Sequence, residues 1–420
     1  MATEYNYGNW CFTLKNKMKV ILINNHNVSN KFSVALDIHI GSFADPKNFP
    51  GLANLCQQMI IWGTTAQSNR FQKLLYKYNG DISLTTSSEH TTYYFYFYTK
   101  DYDVVEQILE RFVQLFISTP SFNNACIEER IRIMDSKLKK ELQHNWFQYF
   151  ERSTINSAHP YSNYGLCKEK ILTEMSIENI KFTLLNFILT YYSANIMTLG
   201  ITSNYAGGFE RMVDKVFSEI QNSEIKLPKY FTPFTDRFCT VWYIAPKSDT
   251  KNLMRLAFPL PNVEEDCWRR AVNCISFFLE YDNEKSLLGT LKAKNWCNGI
   301  SISACQEARN LNFFHVVFTL LPEGYCRHTS DIVQLFFEYL KLFKTKYLNL
   351  PNRRFIKVLN NLELTSYVPI TYHGYLGKVI STIMHLKVLP EEFETLKKKN
   401  ILSEKSWPHN EVLKASTYKI

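Results

Sequence analysis

One order of elements occurs twice along this chain, and that repetition limits its fold more than any other feature. In the first occurrence a helical pattern at residues 71–76 leads through the turn Asn79-Gly80 into strand patterns at 81–87 and 91–98 and a long helix at 104–116. In the second, a helix at 286–294 leads through Asn298-Gly299 into strands at 300–303 and 312–320 and a helix at 332–343. The two turn glycines are 219 positions apart (299 minus 80), and Phe314 follows Phe95 by the same interval. Strands alternating with helices in this way predict two related α+β domains.

With 420 residues the chain is long enough for both domains, and 45% hydrophobic content with 30 Phe and 25 Tyr supplies their cores. The boundary is expected near 227–236, where Pro228 and Pro233 interrupt the pattern, giving domains at 1–228 and 229–420. Residues 400–420 hold no convincing last strand, so the second domain is expected to be incomplete at its C-terminus. Two further strands are expected at 18–23 and 32–40, and a second long helix at 125–150.

The net charge of +9 is spread over 48 basic and 39 acidic residues, and its short runs at 137–140 and 397–399 read as solvated helix faces. No basic stripe with exposed aromatics accompanies them, so no nucleic-acid partner is expected. The ten cysteines form no C-x-x-C pair and several sit in apolar patterns, which favours a reducing compartment. The N-terminal residues lack the layout of a leader peptide, and no apolar run approaches the length of a membrane span. A soluble, cytoplasmic protein without a membrane partner is the expectation.

The chemistry turns on the stretch 50–65. Leu52, Leu55, Cys56, Met59 and Ile60 recur at helical spacing and Gly63 closes the pattern, so a short buried helix is expected. Asn54 and Gln58 stand at i and i+4 on one face, with Gln57 beside them. His, Glu and His at these positions would spell H-x-x-E-H, a zinc-binding helix. Carboxamides are poor zinc ligands, and an amide cannot act as a base near neutral pH. Read without context, the segment is a core helix whose amides satisfy local backbone.

Around that helix the chain resembles the insulinase branch of the pitrilysin-type zinc metallopeptidases. The resemblance rests on ordered blocks from about residue 7 to 395: 35–46, Gly51-Leu52, Cys56, Met59, Gly63-Thr64, 89–95, Arg111-Phe112, Asp135-Ser136, His159-Pro160 and 217–220. In the second domain it continues through Ser286-Leu287-Leu288, Leu291-Lys292, Lys294, Trp296, Asn298 and Ala308-Arg309. It implies that each α+β domain is a mostly antiparallel sheet packed against helices. Carried over position by position, the resemblance puts the two zinc histidines at Asn54 and Gln58, the general base at Gln57 and the third zinc ligand at Lys137. A further family carboxylate falls on Arg130. All four primary positions have changed, and an ammonium at Lys137 would repel a dication. The family zinc is therefore expected to be absent, with no cofactor in its place.

Two readings of Lys137 are open: it fills the emptied cavity and donates to Asn54 and Gln58, or its stem carries it to solvent. The resemblance also places a substrate-holding sheet edge at Ser83-Leu84 and a second capture edge at Ile300, Ser301, Ile302 and Ser303. Glu89-His90 reads as a hydrogen-bonded corner, and the ten scattered histidines as structural. There is no phosphate-binding glycine loop, no G-x-S-x-G elbow and no intact H-E-x-x-H. These features predict a catalytically inactive homologue that binds peptide or pairs with an insulinase-like partner chain. The alternative is a zinc-dependent metalloendopeptidase whose site is completed by unmatched residues or by another chain.

Overall fold

In the computed structural model the chain divides into two compact units, Met1–Phe238 and Cys239–Ile420, a boundary ten residues beyond the expected one. The described residues are 3–5, 9–24, 30–63, 67–118, 122–144, 146–163, 169–203, 209–230, 233–234, 252–260, 275–276, 278–308 and 311–345. The expectation for 400–420 lies outside them.

The first unit contains strands β1 (Thr3–Tyr5), β2 (Asn9–Thr13), β3 (Lys19–Asn24), β4 (Lys31–Ile38), β5 (Asp81–Thr86), β6 (Thr91–Tyr98) and β7 (Met197–Ser203). They form one sheet in the order β1-β2-β3-β7-β4-β6-β5, so among the described residues β5 is an edge strand. All neighbours are antiparallel except β3 and β7. Its helices are α1 (Leu52–Trp62), α2 (Gln67–Lys77), α3 (Tyr102–Ile117), α4 (Asn124–His144), α5 (Trp146–Thr154), α6 (Ile171–Glu174), α7 (Ile177–Tyr191) and α8 (Phe209–Phe217). The single helix expected at 125–150 is two, α4 and α5.

Alternation decides which face of the sheet the helices cover. Phe32, Val34, Leu36 and Ile38 of β4 and Tyr93, Phe95 and Phe97 of β6 are buried, while the residues between them are less so. Phe112 of α3 locks this face: its ring lies 4.7 Å from Phe95, 5.5 Å from Phe71 and 5.1 Å from Phe116.

Helix α1 is fixed at its start by a half-buried carboxylate. Asp45 accepts from the backbone N–H of Gly51 and of Ala53, both at 2.7 Å, satisfying donors that the first turn leaves unpaired. Gly51 has φ 87°, which glycine adopts without penalty. Gly41 is required for a different reason: a Cβ there would lie 2.2 Å from the Ser87 carbonyl oxygen. That close approach lets Ser42 and Phe43 donate to Ser87 and Ser88, lacing the loop before α1 to the β5–β6 turn.

In the second unit β8 (Asn252–Leu260), β9 (Cys297–Ala308) and β10 (Leu311–Leu320) form an antiparallel sheet in the order β8-β10-β9. Helices α9 (Leu287–Ala293), α10 (Pro322–Arg327) and α11 (Thr329–Phe343) accompany it, with Phe314, Val316, Phe318 and Phe336 in the core. The turn expected at Asn298-Gly299 lies inside β9. The turn itself comes three residues earlier, where Asn295 has φ 56° and Trp296 donates to the Leu291 carbonyl. The same bond runs from Gly80 to Leu75 in the first unit, beside Asn79 at φ 51°. An asparagine in the left-handed region thus makes both turns, and the second needs no glycine.

Phe112→Ala is expected to lower the unfolding free energy of the first unit by about 3–5 kcal/mol, read by urea denaturation. Burial pushes the Asp45 carboxyl up to about 7 against the pull of its two amide donors, from an ordinary 3.8. Between those values the folded chain holds the proton more firmly than the unfolded one, so this group's contribution to stability falls as pH rises from about 4 to about 7. Asp45→Asn removes that dependence, which the difference in unfolding free energy between the two proteins at several pH values will record.

Candidate functional site

The three carboxamides of α1 are built into the structure as hydrogen-bonding groups. Gln57, 1% exposed, sends its Nε2 to the backbone carbonyls of Thr85 at 3.1 Å and Thr92 at 2.8 Å, and its Oε1 accepts from the Thr86 hydroxyl at 2.7 Å. Two carbonyls on one side and a hydroxyl donor on the other fix which end is nitrogen. A glutamate would face both carbonyls with no proton to give. On the next residue, Gln58 Nε2 donates to Asn54 Oδ1 one turn back at 2.7 Å, joining the i and i+4 positions to each other.

Lys137 does not fill the space between them. It is exposed on α4, and among the described residues it makes no hydrogen bond to Asn54 or Gln58. The physical reason is helix phase. Ile127, Ile131, Met134 and Leu138 form the buried face of α4, and Lys137 lies outside that stripe. Arg130, one half-buried side chain further back, places its guanidinium 4.9 Å from the Trp62 ring at the end of α1. Buried Asp135 pairs with Lys139 at 2.5 Å.

The expected peptide-holding positions occupy sheet edges. Ser83 and Leu84 lie on β5, and Ser87 donates to the His90 carbonyl at 2.8 Å. Counting back along β5 from that bond, alternation puts Ser83 and Thr85 in the ladder with β6 and turns the N–H and C=O of Leu84 to the open edge. On β9, Ile300 is buried, Ile302 half-buried, and Ser301 and Ser303 exposed. The Ile302 amide already donates to Glu280 Oε1 at 2.5 Å, so a side chain caps this edge at the middle of the expected capture segment. Of the two edges, β5 is the one whose outward backbone group at the expected position has no such cap among the described residues.

A second group was not anticipated. Asp37 and His39 share one face of β4 and its extension, and His90 stands at the turn before β6. His90 Nδ1 is 2.8 Å and His39 Nε2 3.3 Å from Asp37 Oδ2, while Thr92 donates to Asp37 Oδ1 at 2.7 Å. Glu89-His90, expected as a hydrogen-bonded corner, forms one through the contact of His90 with Asp37, and His39 is a third member that the expectation did not include. The available signal was D-x-H within a strand, since residues two apart on a strand face the same way.

Residues 19–161 match the model described as insulinase (peptidase family M16), and residues 183–352 match the peptidase M16 inactive domain. The chain is 31% identical over 343 residues to insulin-degrading enzyme of Bos taurus, covering 79% of this chain and 33% of the relative. It is 27% identical over 366 residues to the A-factor-processing enzyme of Saccharomyces cerevisiae, covering 84% and 34%. It thus spans about a third of the length of these curated relatives. Among solved structures it resembles pitrilysin, with a TM-score of 0.70 and 19% identity over 94% of this chain and 44% of that one. It also resembles a peptidase M16 inactive domain from Pseudomonas fluorescens, with a TM-score of 0.67 and 16% identity over 98% and 95%. Among the described residues, no helix is long and apolar enough to cross a membrane. Matched in both of its units, the chain belongs to the insulinase family of peptidases, family M16.

Proposed function

We propose that this chain is a binding subunit that captures extended peptides along the free edge of β5 and does not hydrolyse them. The observation that carries the reading is Gln57, whose amide protons go to Thr85 and Thr92 in the hairpin that presents that edge. A group committed to donating cannot take a proton from water. The zinc implied by the family does not suit the donor set on α1, because Asn54 and Gln58 offer amide oxygens and are bonded to each other. An ammonium at Lys137 supplies no lone pair. The absence of that zinc, the loss of turnover and a role in the cytoplasm belong to this proposal, as does pairing with another insulinase-like chain.

Capture of a peptide by strand addition needs backbone groups more than particular side chains, so it survives changes that abolish hydrolysis. Leu84 faces that edge and Ser83 does not. The relatives named insulin-degrading enzyme suggest the insulin B chain as a probe.

Fluorescence anisotropy of labelled insulin B chain is expected to report binding, and a quenched peptide is expected to remain uncleaved with zinc supplied. Leu84→Pro should abolish binding and lower the melting temperature less than Ser83→Pro, because the first loses only the partial packing of Leu84 while the second breaks the β5–β6 ladder. Chelator-sensitive cleavage by the unmodified chain would overturn the proposal and favour a peptidase completed by other residues or another chain. Gln57→Glu is expected to destabilise the first unit by about 1–3 kcal/mol without creating activity, read by denaturation and by the same cleavage assay.

A further inference from the structure

The geometry points to a transition-metal site formed by Asp37, His39 and His90, separate from the α1 positions where the family resemblance places zinc. The ligand atoms of these three side chains all lie within 4.8 Å of one another, and no other such group occurs among the described residues. Two imidazoles and one carboxylate form a borderline donor set suited to Zn2+, Co2+ or Ni2+ and poorly suited to Mg2+ or Ca2+.

The distances are close to what an ion requires. Ligand bonds of about 2.0–2.2 Å at tetrahedral angles put donor atoms about 3.3–3.5 Å apart. Asp37 Oδ2 is already 2.8 Å from His90 Nδ1 and 3.3 Å from His39 Nε2, and the two rings meet edge to face with centroids 5.2 Å apart. The two ring nitrogens, within 4.8 Å of each other, must close to that spacing around the ion. The carboxylate is oriented for it: Thr92 holds Oδ1, so Oδ2 is the oxygen presented to both rings.

Charge and access agree with the geometry. Burial pushes the Asp37 carboxyl up, and the hydrogen bonds from His90 and Thr92 pull it down, to a net position below its ordinary range, so the group offers an anionic oxygen. The side chains of Asp37 and His39 are 25% exposed and that of His90 41%, so an ion can enter from solvent and three protein ligands leave it a position for water. The Thr198 hydroxyl, 3.2 Å from His39 Nε2, belongs to the hydrogen-bond pattern that the ion replaces. Binding requires neutral imidazoles, so protons compete with the ion for the two ring nitrogens.

The three residues come from two separate segments. Asp37 and His39 sit at the end of β4, and His90 in the turn between β5 and β6. An ion there ties the hairpin that carries the β5 edge to the middle of the sheet, and by mass action it stabilises the folded first unit.

Isothermal titration of the full chain with zinc chloride in excess Mg2+ should give one ion per chain. His39→Ala, His90→Ala and Asp37→Asn should each weaken uptake roughly tenfold or more, while His328→Ala leaves it unchanged. Zinc should raise the melting temperature of the unmodified chain and not that of Asp37→Asn. On the unmodified chain, imidazole nitrogen resonances of two of the ten histidines should move together at one equivalent. No stoichiometric uptake, uptake that survives these three substitutions, or shifts at other histidines would overturn the inference. Uptake lost instead in Asn54→Ala or Gln58→Ala would overturn both it and the proposed function. Absence of zinc binding would leave the proposed function standing.

Discussion

A single carboxamide joins the two parts of the first unit on which its chemistry depends. Gln57 reaches from α1 to the β5–β6 hairpin and satisfies two backbone carbonyls and one hydroxyl at once. Buried polar groups are costly when unpaired, so this residue, 1% exposed, holds the helix and hairpin in register through three bonds. The polarity of those bonds is what distinguishes an amide from a carboxylate here. A base in this position would have to give up two of its three partners.

The hairpin is the mechanical centre of the unit. Its outer strand presents the open edge, its turn is laced to the loop before α1 through Ser87 and Ser88, and its inner strand packs Tyr93, Phe95 and Phe97 against the helices. On the opposite face of the same strands, Thr92 and His90 meet Asp37. The proposed peptide edge and the proposed metal site therefore share one element, and ordering the turn at His90 would also order the strand that captures peptide.

Much of this was legible in the sequence because periodicity reports burial. Alternation along β4 and β6 and helical spacing in α1 and α3 follow directly from which residues face the core. The limits were equally physical. The repeat was matched on two glycines, but the second turn is made by Asn295, so the registers differ by three residues. Asparagine tolerates the left-handed region almost as well as glycine, and sequence alone does not show which residue will use it. The long helix at 125–150 was read as continuous, whereas it is two helices, α4 and α5.

The sequence by itself determined the family, the two α+β units and the three carboxamides on α1, because these depend on residue type and spacing along the chain. Only the tertiary structure decided what those amides do. It turned Lys137 to solvent, set Gln57 against carbonyls contributed by strands some thirty residues away, capped the β9 edge with Glu280, and brought His90 to a carboxylate more than fifty positions earlier. Hydrogen-bond partners across a sheet are fixed by strand order and register, and neither is a property of any local stretch of chain.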